Sequence, residues 1–371
     1  MAADKRIYSQ VLRFIAEPEP ERFGELALEV FRYQFAHVAA YRTFCLSRAV
    51  GLSTVTDFTA IPFASTLAFK HASVINDEQL RDPAALTFKT SGTTKGYGAR
   101  GIHRVPDPEI YRASAIAHMR RMLFPDRQRM PLLALHPTAD RMPESSLSWM
   151  LSWCIENFGS ASSLCVATPK ALDHESAVTF LRSAEQGGEP VGLLGTTAAF
   201  ARLFDAIGPC PVRLPAGSRL MDTGGVKGQT IPLKDYEVRE SAWRLMGIEP
   251  ICAINEYGMT ELCSQLYDAT PFNCPAITAE ERMKLLPPWM RAVALDPVML
   301  RHQQDGQVGL MAFFDLANVG SISAIMTEDF GYTHRGMATI LGRAAASDAR
   351  GCALGIEQFV ADGGRRSGFE G

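Results

Sequence analysis

Between Pro131 and Gly258 short apolar runs alternate with helical stretches, and this alternation constrains the fold more than any other feature of the chain. PLLALH (131–136), SLCVAT (163–168), VGLLGT (191–196), RLMDTGG (219–225) and PICAINEYG (250–258) read as buried strands. Between them ESAVTFLRSAEQGG, TAAFARLFDAIG and DYEVRESAWRLMG read as helices ended by glycine. The pattern implies crossover units, hence an α/β fold with a largely parallel, helix-covered sheet whose ligands sit at the carboxyl ends of the strands. Upstream, Phe23, Leu26, Val30 and Tyr33 line one face of a helix expected over Glu21–Tyr41. After Pro287 the stretches GQVGLMAFFDL, SISAIMTED and ATILGR read as strands without long helices between them, so a smaller, antiparallel-leaning region is expected there.

Composition narrows the partners. A chain of 371 residues with 47% hydrophobic and 21% charged residues has room for a substantial core. Its net charge of −3 gives no reason to expect a nucleic acid. No run approaches the roughly 18 apolar residues of a membrane span, and the charged start MAADKRIYSQVL lacks a signal-peptide core, so a cytosolic protein is expected. The eight cysteines form no C-x-x-C pair, which speaks against structural zinc and a disulfide framework.

TSGTTKGYGARG (90–101) is the stretch most specific for chemistry. Gly96, Gly98 and Gly101 match G-x-G-x-x-G literally, but IHRV after them reads as extended and the next helix is expected at Asp107-Pro108, so no helix N-terminus faces a pyrophosphate there. A P-loop fails as well, because counting from Gly92 puts Tyr97 at the second fixed glycine. What the residues leave open is a plain surface loop, or a glycine- and hydroxyl-rich loop whose N–H groups, Ser91, Thr93, Thr94 and Lys95 wrap phosphates.

Taken with the rest of the chain, TSGTTKG resembles the phosphate loop of the adenylate-forming superfamily, and companion motifs follow in that superfamily's order. The resemblance implies ATP contacts from Ser91, Gly92, Thr93, Thr94 and Gly96, with Lys95 a catalytic cation. It implies adenine against Gly224 and Gly225 in MDTGG. In NEYGMTE it gives Tyr257 as an adenine stack, Thr260 as an α-phosphate contact and Glu261 as a magnesium ligand. Asp329 in TEDFG is implied to accept the ribose hydroxyls, and Arg343 in ILGR to bind ribose or phosphate. These residue types suit the reaction, since a carboxylate attacking the α-phosphorus of ATP needs N–H donors, a cation and a hard metal ion to hold developing charge.

A narrower resemblance covers nearly the whole chain. FRYQFAHVAAYRTFC, IPFASTLAFK, MDTGGVKG, INEYGMTEL, LLPPWMRAVALDP and FFDLANVGSISAIMTEDFG are similar to the acyl-protein synthetases of bacterial bioluminescence operons. That family activates a fatty acid with ATP and takes the acyl group onto a cysteine near its C-terminus, which implies Cys352 in GRAAASDARGCALGIEQF as an acyl-carrying nucleophile. The expected organisation is an α/β nucleotide- and acyl-binding core over 1–286, a β-rich subdomain over 287–343, and a tail over 344–371 carrying Cys352. A full acyl-CoA synthetase continues past the hinge arginine into a small domain with a catalytic lysine. This chain stops short of that domain, so Lys95, magnesium and loop donors are expected to carry adenylation, with Lys227 a substitute cation. His136, Lys227 and Met259 are candidate walls of an acyl pocket suited to a hydrophobic acid.

Three readings stay open at this stage. One is an acyl-adenylate-forming enzyme that passes the acyl group through Cys352 to a protein or small-molecule acceptor, with an acyl reductase or biosynthetic enzyme as partner. A second is direct transfer to coenzyme A, a carrier thiol or an amine, with Cys352 structural. The third is a non-catalytic nucleotide-binding scaffold, against which the joint retention of Thr260, Glu261 and Asp329 argues.

Overall fold

The computed structural model describes residues 2–71, 74–75, 84–90, 100–224, 235–278 and 282–343. Along the chain these form α1 (Ala2–Ala16), α2 (Phe23–His37), α3 (Ala39–Ser47), β1 (Ala64–Ser65), α4 (Ala68–His71), β2 (Leu86–Lys89), β3 (Ile102–Val105) and α5 (Pro108–Leu123). The alternating region follows as β4 (Leu132–Ala134), α6 (Ser146–Phe158), β5 (Leu164–Cys165), α7 (His174–Gly187), β6 (Gly192–Thr196), α8 (Thr197–Ile207), β7 (Arg219–Thr223), α9 (Asp235–Met246) and β8 (Ala253–Tyr257). The last third holds β9 (Leu266–Asp268), β10 (Lys284–Leu285), β11 (Met290–Leu295), β12 (Gly309–Asp315), β13 (Ala324–His334) and β14 (Met337–Arg343).

By their internal contacts the residues divide into two units, one of 1–115, 259–264 and 285–371, the other of 116–258 and 265–284. In the second unit the strands lie in the order β9-β8-β7-β6-β4-β5. All neighbours are parallel except β9, which runs antiparallel to β8. Leu181 of α7, Phe200 and Leu203 of α8 and Val238 of α9 are buried with Leu193 and Leu220 of the sheet, so the strands read as apolar runs because helices cover them. The helix ends follow the expected chemistry. Asp173 Oδ1 accepts the Ser176 N–H at 3.0 Å at the start of α7, and Gly188 closes it in the left-handed region at φ 71°.

In the first unit β11, β12, β13 and β14 form consecutive antiparallel pairs, and β1 pairs in parallel with β13. The helix expected over Glu21–Tyr41 is instead two, α2 and α3, parted at Val38, which is fully buried and extended at φ −108°, ψ 91°. The break is stabilised from downstream: Arg42 Nη1 donates to the carbonyls of Phe35 and Ala36 at 3.3 and 2.7 Å, satisfying groups that a continuing helix would have used. Phe23, Leu26, Val30 and Tyr33 are all buried as their spacing implies. Gln34, also buried, ties α2 to the turn after β12, donating to the carbonyls of Asn318 and Val319 and accepting from the Ser323 N–H and hydroxyl.

Candidate active site

In the second unit the relevant groups gather at the carboxyl ends of β7 and β8. Thr223 and Glu256 are register partners, and the Thr223 hydroxyl is hydrogen-bonded to the Glu256 carboxyl group. Gly224 follows at φ +84°, a conformation that favours glycine whatever the surrounding space. The Thr197 hydroxyl at the start of α8 lies 2.6 Å from the Gly224 carbonyl oxygen and 2.9 Å from an Asp222 carboxylate oxygen, which fixes the strand end to the helix. Tyr257, partly buried, ends β8, and a Cβ at Gly258 would collide with Glu256 Oε1. Burial pushes the Glu256 carboxyl up to about 7, against the opposing pull of the Thr223 hydrogen bond and of Lys284. Asp268 stays below the usual carboxylate range despite its burial, because Lys284 Nζ and Arg282 Nε each approach it at 2.8 Å. His136, two residues past β4, lies with Nε2 3.2 Å from the Ser148 hydroxyl of α6, and burial lowers its pKa to about 4, so it is a neutral imidazole at ordinary pH.

In the first unit the segment Met259–Ser264 is held almost group by group. His103 Nδ1 lies 2.7 Å from the Thr260 carbonyl oxygen, and Asn318 Nδ2 donates to the Glu261 carbonyl at 2.7 Å. Asp315 accepts the Cys263 N–H at 2.9 Å and the Ser264 hydroxyl at 2.6 Å, while Trp289 Nε1 lies within 3.0 Å of the Ser264 and Ser114 oxygens. His103, Asp315, Asn318 and Trp289 are each no more than 2% exposed. Thr260 is partly exposed and Met259 half-buried, with the Met259 carbonyl accepting the Leu262 N–H at 3.2 Å. Glu261 is 8% exposed. A single hard carboxylate there fits magnesium, which keeps several waters and takes phosphate oxygens; among the described residues no set of three or more His, Cys, Asp and Glu forms a dedicated metal cage. On the neighbouring strands Asp329 of β13 and Arg343 of β14 are register partners.

Sequence reasoning missed His103, Asp315, Asn318, Thr197 and Glu256. Glu256, Asp315 and Asn318 lie inside the motif stretches already singled out, but what they touch is set by tertiary structure. Ser91, Gly92, Thr93, Thr94, Lys95, Gly96, Gly225, Lys227 and Cys352 lie outside the described residues. A cavity of about 550 Å³ lined by Arg120, Asp126, Arg127, Arg129 and Asn157 lies near the start of β4, at the amino ends of the second unit's parallel strands. In sheets of this kind ligands bind at the opposite ends, where Gly224 and Tyr257 are.

The parallel sheet with its glycine and tyrosine strand ends, and the antiparallel strands carrying the acidic motif, define the N-terminal fold of the adenylate-forming enzymes. The structure matches 2-hydroxyisobutyryl-CoA ligase, in an open conformation in complex with 2-HIB-AMP and CoA, with a TM-score of 0.62 at 14% identity, covering 88% of this chain and 79% of that one. The same ligase in its thioesterification state gives a TM-score of 0.62 at 16% identity, covering 88% and 69%. Within that class the chain belongs to the acyl-protein synthetase family, LuxE, whose sequence profile it matches over residues 4–361. Two relatives, each named long-chain-fatty-acid–luciferin-component ligase, are similar along almost their full lengths. The one from Aliivibrio fischeri is 21% identical over 94% of this chain and 93% of its own, and the one from Vibrio harveyi 24% identical over 92% and 89%. Among the described residues no helix is long and apolar enough to cross a membrane.

Proposed function

We propose that this chain uses ATP to convert a carboxylic acid, fatty or otherwise hydrophobic, to an acyl-adenylate, and then carries the acyl group on Cys352 for delivery to a protein or small-molecule acceptor. A carboxylate oxygen attacks the α-phosphorus, the bond to the β-phosphate oxygen breaks and pyrophosphate leaves. The Cys352 thiolate then attacks the acyl carbon, the bond to the AMP oxygen breaks and AMP leaves. Ser91, Gly92, Thr93, Thr94 and Gly96 hold phosphate oxygens, Lys95 balances developing charge and Thr260 contacts the α-phosphate. Glu261 holds magnesium, which supplies charge neutralisation at the phosphates. Gly224, Gly225 and Tyr257 take adenine, Asp329 and Arg343 the ribose side, and His136, Lys227 and Met259 line the acyl channel. The partner that would consume the thioester is an acyl reductase or a biosynthetic enzyme.

The observation that supports this reading best is the investment of His103, Asp315, Asn318 and Trp289 in one six-residue segment carrying Thr260 and Glu261. Fixing main-chain and hydroxyl groups with buried side chains preorganises the groups beside them, as electrostatic stabilisation of a transition state requires. The test is carboxylate-dependent exchange of labelled pyrophosphate into ATP over a panel of fatty and aryl acids. Exchange with long-chain acids is expected, and silence across the panel would favour a scaffold.

A further inference from the structure

We infer that His103 is a positioning residue for adenylation, setting the Thr260 carbonyl and through it the Thr260 side chain against the α-phosphate; this rests on the function proposed above. His103 lies on β3, antiparallel to β2 and paired with Phe88. In sequence, the segment joining these strands carries the phosphate-loop residues Ser91 to Gly96. At the base of that connection Thr90 N donates to the Gly101 carbonyl at 3.0 Å and Gly101 N donates to the Thr90 hydroxyl at 2.9 Å, so the stem is closed by a reciprocal pair. Two residues past Gly101, on β3, His103 reaches Thr260. β3 therefore follows one of the segments assigned to the phosphates in sequence and touches the other through the His103 side chain, 1% exposed.

The chemistry of this contact is specific. A carbonyl oxygen only accepts, so Nδ1 must carry the proton. The ring lies edge-on to Phe69 of α4, with centroids 5.3 Å apart, and to Phe88 of β2, at 6.5 Å. That apolar wall favours the uncharged ring, in keeping with a pKa lowered by burial to about 4. Nε2 is buried and has no hydrogen-bond partner among the described residues. An imidazole in such a wall is a poor filler compared with phenylalanine, and among the described residues its polar contact is the Thr260 carbonyl. The neutral Nδ1–H donor fixes a carbonyl whose own side chain is assigned to the reacting phosphate.

Replacing His103 by Phe keeps the ring and removes the donor, whereas Asn places an amide N–H near the Nδ1 position. In pyrophosphate exchange His103→Phe is expected to lower kcat at least tenfold while KM for the carboxylic acid stays within threefold of wild type, and His103→Asn to recover most of that loss. In parallel, affinity is measured for a non-hydrolysable acyl-sulfamoyl adenosine and for adenosine. His103→Phe should weaken the first at least tenfold and leave the second unchanged. If His103→Phe retains kcat and mimic affinity within twofold, or if His103→Asn is as impaired as His103→Phe with both melting like wild type, the positioning role is wrong. Should His103→Phe fail to fold, His103→Asn alone decides: near wild-type activity and mimic affinity support the role, and their loss in a wild-type-like fold overturns it. If wild type neither exchanges nor binds the mimic, the adenylation reading itself fails and takes this one with it.

Discussion

Asp329 and Arg343 stand opposite each other across the antiparallel pairing of β13 and β14, with Arg343 Nε 4.0 Å from Asp329 Oδ1 and Arg343 Nη1 3.7 Å from Glu328 Oε2. Cross-strand partners share a face of the sheet, so the two residues assigned to the ribose side are brought together by register alone.

The pair does little to hold the strands. The Arg343 side chain is 48% exposed, and exposed ion pairs contribute about 0–1 kcal/mol. Arg343→Ala should therefore leave the melting temperature nearly unchanged while raising KM for ATP about tenfold, an effect of about 1.4 kcal/mol. Asp329→Ala should act in the same direction. Steady-state exchange at varied ATP checks both, and an unchanged KM in either variant would remove that residue from the nucleotide contact.

Glu256 makes stability depend on pH in an unusual direction. Its pKa in the folded protein, about 7, lies above the ordinary value of 4.5, so folding favours its protonated form. Its contribution is complete below about 4.5 and is lost as pH climbs through 7, at a slope of up to about 1.4 kcal/mol per pH unit. Asp268, lowered, has the opposite sign and loses its contribution only on acidification below the ordinary carboxylate range. Urea unfolding between pH 5 and 8 should show wild type weakening relative to Glu256→Gln; parallel curves would refute the assignment.

Asp315→Ala removes the acceptor of the Cys263 and Ala317 N–H groups and of the Ser264 hydroxyl in a fully buried place. Unsatisfied buried donors cost about 1–3 kcal/mol each, so with three of them a loss of about 3 kcal/mol or more is expected by urea denaturation, with exchange activity falling at temperatures where the variant is still folded. Full activity in the folded variant would show that the Met259–Ser264 segment does not need this anchor.

Acyl transfer through cysteine has built-in controls. Burial pushes the Cys45 and Cys252 thiols up to about 12 and about 11 and raises Cys154 and Cys263 as well, which keeps all four protonated and poorly nucleophilic. Cys210 is exposed. A labelled acyl group that survives denaturation and yields to hydroxylamine should vanish in Cys352→Ala and persist in Cys210→Ala. The reverse pattern would move the thioester to Cys210, and persistence in both variants would exclude either residue as the carrier.

The alternation of strands and helices was legible because strands covered on both faces must be apolar along their whole length, as LLA and GLLGT are. Val38 was not, because α2 ends where Arg42, one turn further on, takes its last carbonyls. α1 was not read from the sequence, although Val11, Phe14 and Ile15 are buried at helical spacing. Thr260, Glu261, Asp329 and Tyr257 were legible as candidates through local motifs. His103 was not, since its partner lies 157 residues away. Local motifs in a sequence single out candidate groups; the side chains packed against them are chosen by tertiary structure.

The parallel contact of β1 with β13 and the bonds that Ser323 donates to Gln34, 289 residues away, also bear on how the protein is made. A nascent chain emerging from the ribosome holds α2 and β1 long before their partners exist, so those apolar faces must wait, exposed, until the 289 residues from Gln34 to Ser323 have been synthesised. Chaperone demand and aggregation during expression should therefore concentrate on the amino-terminal segment, and truncating the chain before β13 should leave that segment insoluble.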